Sequence, residues 1–146
     1  MTRPPAPNPC DTCPYRLDVP SGVWAASEYA KLPPYDNPTP FQPIGVFMCH
    51  QNDMSEPAAR VCAGWAGCHD GTGLLALRIA VSRGDMTPEV AEAICDYTTP
   101  VALFRSGAEA AEHGMAQIDA PSPDAEQAMV KIIRKRPSVA SPESRK

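Results

Sequence analysis

The sequence predicts a small, mainly helical single domain with long proline-rich loops, one or two short strands, and a metal site acting as its staple. Three observations lead there. The chain has 146 residues and is 43% hydrophobic, enough for one modest core. Its 18 prolines cluster at 4–20, 33–43 and 121–142, which removes backbone donors and interrupts long elements. Its six cysteines sit mostly in the proline-rich half, where a loop-rich chain needs cross-linking.

Residues 1–9 read as a flexible, proline-rich lead, 10–105 as the metal–thiolate core, 106–136 as a C-terminal helical pair, and 137–146 as a disordered tail. Within the core, Ser21 is placed to cap a helix over about 22–32, with Ala25, Tyr29 and Leu32 on one face at i, i+4 and i+7. Pro33-Pro34 ends it, and 33–45 is loop. Val46–Cys49 suits a short strand delivering Cys49 and His50. Gly64 and Gly67, between Cys62 and Cys68, let the backbone close around something. The apolar run Leu74–Val81 leans helical. Thr87 caps a helix with Pro88 at its first position and Val90, Ile94 and Tyr97 facing inward. Ser106 with Glu109 forms a capping box for a helix expected to stop after His113, at Gly114. Ser122-Pro123 begins the last helix, with Met129, Ile132 and Ile133 as its apolar side and Pro137 as its end.

No apolar run follows the N-terminus as in a secretory signal, and none is long enough to span a membrane. The expected location is the cytoplasm, where clustered cysteines point to metal or redox chemistry rather than disulfides. The net charge is −4, unevenly spread: residues 131–146 carry six basic side chains against Glu143, a local +5 that leaves −9 for the rest. Lys131, Arg134, Lys135 and Arg136 at a helix end offer a contact for nucleic acid or an acidic protein partner.

The chemistry-bearing pattern is C-x2-C at Cys10 and Cys13, followed by Cys49, Cys62 and Cys68, with His50 and His69 beside two of them. C-x2-C is the tightest common spacing that aims two thiolates at one ion. Cys10, Cys13, Cys49 and Cys62 are the preferred ligands, with Cys68 and His50 as substitutes. Cys95, alone in a helix, reads as a small buried hydrophobe, and Trp24 and Trp65 as core. Pro9-Cys10-x-x-Cys13 matches half of a zinc-deaminase signature, but no H-x-E precedes it, so that chemistry is rejected. No Ser-His-Asp order, phosphate-binding glycine loop or paired-carboxylate motif stands out, which favours non-enzymatic readings.

The segments Cys10-x2-Cys13-Pro14-x-Arg16, Phe47-x-Cys49-His50-Gln51 and Cys62-Ala63-Gly64-Trp65 resemble a family of small cysteine-rich proteins of actinobacteria and their phages. The resemblance spans roughly residues 10–80 and implies the same four cysteines, since Cys68 lies outside its motifs. Cys10-Asp11-Thr12-Cys13-Pro14 followed by Gly22-Val23-Trp24 is more locally similar to the WhiB-like regulators. Those hold a [4Fe-4S] cluster on four cysteines and contact a sigma factor. Their cysteine spacing differs from that of this chain. The expected cofactor is a [4Fe-4S] cluster, narrowly ahead of Zn2+: zinc sites usually join two short-spaced pairs, and this chain has one. The expected role is a metal-binding regulator acting through a macromolecular partner. The rival readings are an iron–sulfur or dithiol redox protein and a structural zinc module.

Overall fold

The computed structural model describes residues 2–49 and 60–135, with the backbone only at Lys135. Six α-helices follow one another: α1 (Ala26–Tyr29), α2 (Ala63–Cys68), α3 (Leu75–Ser82), α4 (Pro88–Cys95), α5 (Gly107–Met115) and α6 (Pro123–Lys135). Single 3-10 turns at Pro33–Asp36, Thr39–Phe41 and Gly71–Gly73 punctuate the loops. Among the described residues there is no sheet, only isolated bridges: Arg3 with Arg60, Arg16 with Leu103, and Met48 with Val61. The mainly helical, loop-rich class is therefore as the proline distribution predicts.

Helix ends follow local chemistry where the cap is in the sequence. The Thr87 hydroxyl accepts from the Val90 N–H at 3.2 Å, with Pro88 at the first helical position. The Ser106 hydroxyl accepts from Glu109 N–H at 3.1 Å, and Ser122 from Ala125 N–H at 3.2 Å. The capping box is only half formed, because the Glu109 carboxylate takes the Arg105 N–H instead of that of Ser106. α3 ends in a Schellman motif that its sequence, Arg83-Gly84-Asp85, signals: Asp85 N–H reaches Ala80 O, Gly84 N–H reaches Val81 O, and Gly84 has φ +78°.

Several expected elements are corrected by tertiary contacts. The helix expected over 22–32 shrinks to the four residues of α1, and Ser21 does not cap it. The Ser21 hydroxyl donates to Gly114 O at 3.1 Å and accepts from Gln117 N–H at 2.8 Å, tying this loop to the end of α5. Ala25, Tyr29 and Leu32 are nonetheless all buried, as their spacing predicts. α5 runs through Gly114 rather than stopping before it, because the Tyr29 ring lies where a Cβ would be. Val46–Cys49 makes one bridge and no strand. Cys62–Cys68, read as a turn-like wrap, contains helix α2. Cys95 is exposed rather than buried. On α6, Ala125 and Ile132 are buried and Ala128 and Met129 partly so, an i, i+3, i+4, i+7 stripe. Ile133, expected on the apolar side, stands 39% exposed beside it. Pro137 lies outside the described residues.

One core unites these pieces. Tyr15, Trp24, Tyr29, Leu32, Trp65, Leu74 and Ile94 are its largest buried side chains, and Ala110, Ala125 and Ile132 of the C-terminal helices join the same cluster. Each large apolar group so buried contributes about 1.5–3 kcal/mol. α5 packs on α1 and the Pro33–Asp36 turn, while α4 packs on α2, α3 and the Gly71–Gly73 turn. The N-terminal segment lies along this body: Thr2 N–H donates to Asp85 O, Val61 N–H to Arg3 O, and the Tyr97 hydroxyl to Pro7 O at 3.0 Å. No described helix is long and apolar enough to cross a membrane.

Packing at the start of α5 offers a test of this arrangement. A Cβ on Gly107 would overlap the Leu32 carbonyl, whereas one on Gly45 meets nothing within 4 Å. Gly107→Ala is expected to lower stability by about 1–3 kcal/mol in urea unfolding. Gly45→Ala, the control, is expected to leave the midpoint unchanged or slightly raised.

Candidate metal–thiolate site

The C-x2-C segment is built from two consecutive turns. Cys13 N–H donates to Cys10 O at 3.0 Å, and Arg16 N–H to Cys13 O at 3.1 Å. Pro14 occupies the second position of the second turn, where its fixed φ is already correct. Three side chains then hold the pair of turns in place. The Trp24 indole N–H donates to Thr12 O at 2.8 Å, inside the core. Arg16 donates to Pro9 O at 3.0 Å and grips both oxygens of Asp18 at 2.7 and 2.8 Å, which keeps the Asp18 carboxyl below its ordinary range. The backbone of Tyr15 to Leu17 is fixed from outside, with Phe104 N–H on Tyr15 O and Leu17 N–H on Ala102 O.

The second pair of cysteines is made by chain pairing. Around the antiparallel bridge of Met48 with Val61, Cys49 N–H donates to Arg60 O at 2.8 Å and Cys62 N–H to Phe47 O at 2.9 Å. Side chains alternate along such a ladder, so Cys49 and Cys62 project from the same face as diagonal neighbours. Cys62 also sits at the N-cap of α2, whose Gly64 faces the first pair: a Cβ there would overlap the Cys13 sulfur and stand 2.8 Å from Tyr15 Cβ. Glycine is the residue that allows this approach.

The sulfurs meet in sequence-distant order. Cys13 Sγ and Cys62 Sγ are 3.8 Å apart and buried, and the Cys10 thiol interacts with those of both Cys13 and Cys49. All four preferred cysteines therefore form one connected group, Cys49–Cys10–Cys13–Cys62. It is a chain of neighbours: among the described residues no three Cys, His, Asp or Glu side chains form a closed ligand set. Crowding opposes ionisation. The Cys10 pKa is pushed up to about 12, first by its hydrogen bond with Cys13 and then by burial, against a lowering contact with Cys49. Contact with Cys10 lowers the Cys13 pKa, but contact with Cys62 and burial outweigh it and carry it well above the ordinary thiol value. A bound cation reverses these signs by stabilising thiolates outright. Among the described residues no disulfide joins any of the six cysteines.

Of the substitute ligands, Cys68 stands apart from this group. Cys68 ends α2, about 9 Å along the helix axis from Cys62. Burial first, then Asp36 and Glu109, push its pKa up to about 12. His50 lies outside the described residues. His69 packs among Tyr15, Tyr35 and Trp65, with ring centroids 6.0–6.4 Å away, and burial lowers its pKa. Its Nδ1 is 4.0 Å from Asp36, while its Nε2, the Tyr15 hydroxyl and the Trp65 indole nitrogen are buried without hydrogen-bond partners among the described residues. A cleft of about 430 Å³ beside His69 has several of its polar lining groups engaged with backbone. Asp36 caps Gly107 and Ala108 at 2.8 Å, Thr39 donates to Gly73 O, and Gln42 accepts from Leu75 N–H.

Of the basic cluster, Lys131 and Arg134 are exposed on α6, and Lys131 Nζ lies 3.9 Å from Asp11, the residue next to Cys10. The Lys135 side chain and Arg136 are outside the described residues. The hydrogen bonds that give Trp24 and Arg16 their hold on the cysteine turn are not read from the sequence, although G-V-W and C-P-x-R carry the residues. Gly64 does let the backbone close, against the Cys13 sulfur.

Fold and site together define a small, mainly helical, cysteine-rich domain with four clustered thiols. The chain belongs to DUF6283, a family of unknown function, whose model matches residues 5–136. No curated protein and no solved structure matches it.

Trp24→Phe tests the clamp on the cysteine turn. It keeps most of the ring's bulk but removes the indole N–H from the Thr12 carbonyl, at an expected cost of about 1–3 kcal/mol. In metal-free protein the labelling of Cys13 by a thiol reagent is expected to accelerate more than the lost stability alone accounts for. Unchanged stability and labelling would show that the indole bond does not hold the turn.

Proposed function

We propose that the protein is a metal–thiolate module in which Cys10, Cys13, Cys49 and Cys62 bind zinc or an iron–sulfur cluster, and that it acts as a regulator through a macromolecular partner. The observation that carries this is the gathering of four cysteines, from three separate segments, into one connected group. Thiols so crowded gain little from one another as neutral groups, and Cys10 and Cys13 resist ionisation. A thiophilic cation turns the same crowding into binding energy. The reading places the protein in a reducing compartment, the cytoplasm. A dithiol–disulfide couple at Cys13 and Cys62 is the rival suggested by their contact. Both sulfurs are buried, at 0% and 2% exposure, out of reach of a soluble oxidant or a partner thiol.

The partner surface in this proposal is the basic end of α6. Lys131 and Arg134 are exposed there, and the Asp11 contact places them next to the cysteine turn. Nucleic acid or an acidic protein surface suits that charge. The local likeness of Cys10–Trp24 to the WhiB-like regulators supports a partner in the transcription machinery.

Two experiments test these statements separately. Cys13→Ser and Cys62→Ser are expected to reduce bound metal per chain sharply and to lower the melting temperature, since metal binding here is folding free energy. Full metal content with unchanged melting would refute the site. For the partner surface, Lys131→Glu with Arg134→Glu is expected to abolish low-salt binding to duplex DNA or RNA. On DNA the wild-type log–log salt slope should be about −0.9 per phosphate neutralised. Binding that survives the double reversal, or wild-type protein that fails to bind at low salt, would remove nucleic acid as the partner.

A further inference from the structure

The spacing of the sulfurs bears on the size of what they hold. Cys13 Sγ and Cys62 Sγ stand 3.8 Å apart. Four thiolates at about 2.3 Å from a single ion, at tetrahedral angles, stand ~3.8 Å from one another. A cubane places four irons and four sulfides between its thiolates and spreads them to roughly 6 Å or more. Cys10 interacts with both Cys13 and Cys49, which links the remaining two thiols to this pair.

Ligand pairing points the same way. In sequence only Cys10 and Cys13 are a short-spaced pair, and twelve positions separate Cys49 from Cys62. In the fold, the bridge of Met48 with Val61 turns that distant pair into diagonal neighbours on one ladder face. The site thus consists of two spatial pairs, the arrangement that single-ion thiolate sites use.

The walls leave little freedom to expand. Cys13 is held by the Trp24 bond to Thr12 O on one side and by Gly64 of α2 on the other, and Cys62 by its N–H bond to Phe47 O. Moving Cys13 and Cys62 some 2 Å further apart, as a cubane asks, works against these contacts. Closing the chain of sulfurs around one ion needs Cys49, the half-buried end, to turn inward and Cys10 to approach Cys62.

Resting on the reading that these four thiols bind metal, we propose that the site takes one tetrahedrally coordinated ion of the zinc class, with Cys10, Cys13, Cys49 and Cys62 as its complete ligand set, rather than a cubane cluster. Cys68 and His69 take no part in it.

The test uses the full chain, purified without oxygen, with zinc, iron and acid-labile sulfide measured, and the metal-free form titrated first with Co2+ and then with Zn2+. The expected result is one ion per chain. Cobalt should give the intense visible spectrum of a tetrahedral thiolate site and be displaced by one equivalent of zinc. X-ray absorption of the zinc form should give four sulfurs at about 2.3 Å. Cys49→Ser, at the half-buried end, should remain folded and show three sulfurs, whereas Cys68→Ser should keep all four. About four irons and four sulfides per chain after anaerobic reconstitution, resistant to zinc, would overturn this inference and leave the metal–thiolate reading standing. A nitrogen or a fifth cysteine in the coordination shell would overturn the ligand set. Failure to bind cobalt, zinc or a cluster would overturn both readings.

Discussion

The burial of the Cys10–Cys13 turn is the constraint on which the rest of the structure depends. A turn exposes carbonyls and amides that need partners, and two thiols at its ends gain little from being alone in a core. The fold meets these needs from several directions. Trp24 takes the Thr12 carbonyl, Arg16 the Pro9 carbonyl, and Gly64 offers a surface without a side chain to the Cys13 sulfur. Each of these fixes an element: the loop before α1, the extended contact of residues 15–17 with 102–104, and the start of α2. The arrangement of the short helices follows from where the turn sits.

This organisation explains how a chain with 18 prolines holds together. Its helices are short, and several loops pack against side chains rather than against one another. Polar groups in those loops are satisfied by long-range capping: Asp36 closes the start of α5, Ser21 its end, and Gln42 the start of α3. Such contacts link residues tens of positions apart, so loss of one loop propagates to a helix terminus elsewhere. On the proposed reading, a metal at the four thiols cross-links three of these segments at once, where regular secondary structure is sparsest.

Much of the fold was legible where the physics is local. Thr87-Pro88, Ser106 and Ser122-Pro123 begin helices as their side chains dictate, and the Ala125–Ile132 spacing sets the buried face of α6. The failures were equally physical. Ser21 looked like a cap for the next helix but bonds to α5, 93 residues away. Gly114 looked like a helix stop, yet α5 continues because the Tyr29 ring needs the space that a side chain would fill. Cys95 looked like a packing residue, but its helix turns it outward. Of the candidate site, spacing and motif nominate four cysteines, and the fold brings cysteines of separate segments near each other; the order in which the sulfurs meet could not be read from the sequence.

The sequence by itself determined the composition of the protein's parts: proline-limited helices, their capped starts, and the C-x2-C turn with its Pro14. Each depends on groups within a few residues of one another, where the chain's own geometry leaves little choice. Only the tertiary structure decided that Cys49 and Cys62 are neighbours, that Cys68 faces Asp36 and Glu109 instead, and that Lys131 lies beside Asp11. Those relations arise from a bridge pairing and from a shared core, which bring together residues that sequence spacing holds apart. For that reason the 3.8 Å contact of the Cys13 and Cys62 sulfurs could not be read from the 49 positions that separate them.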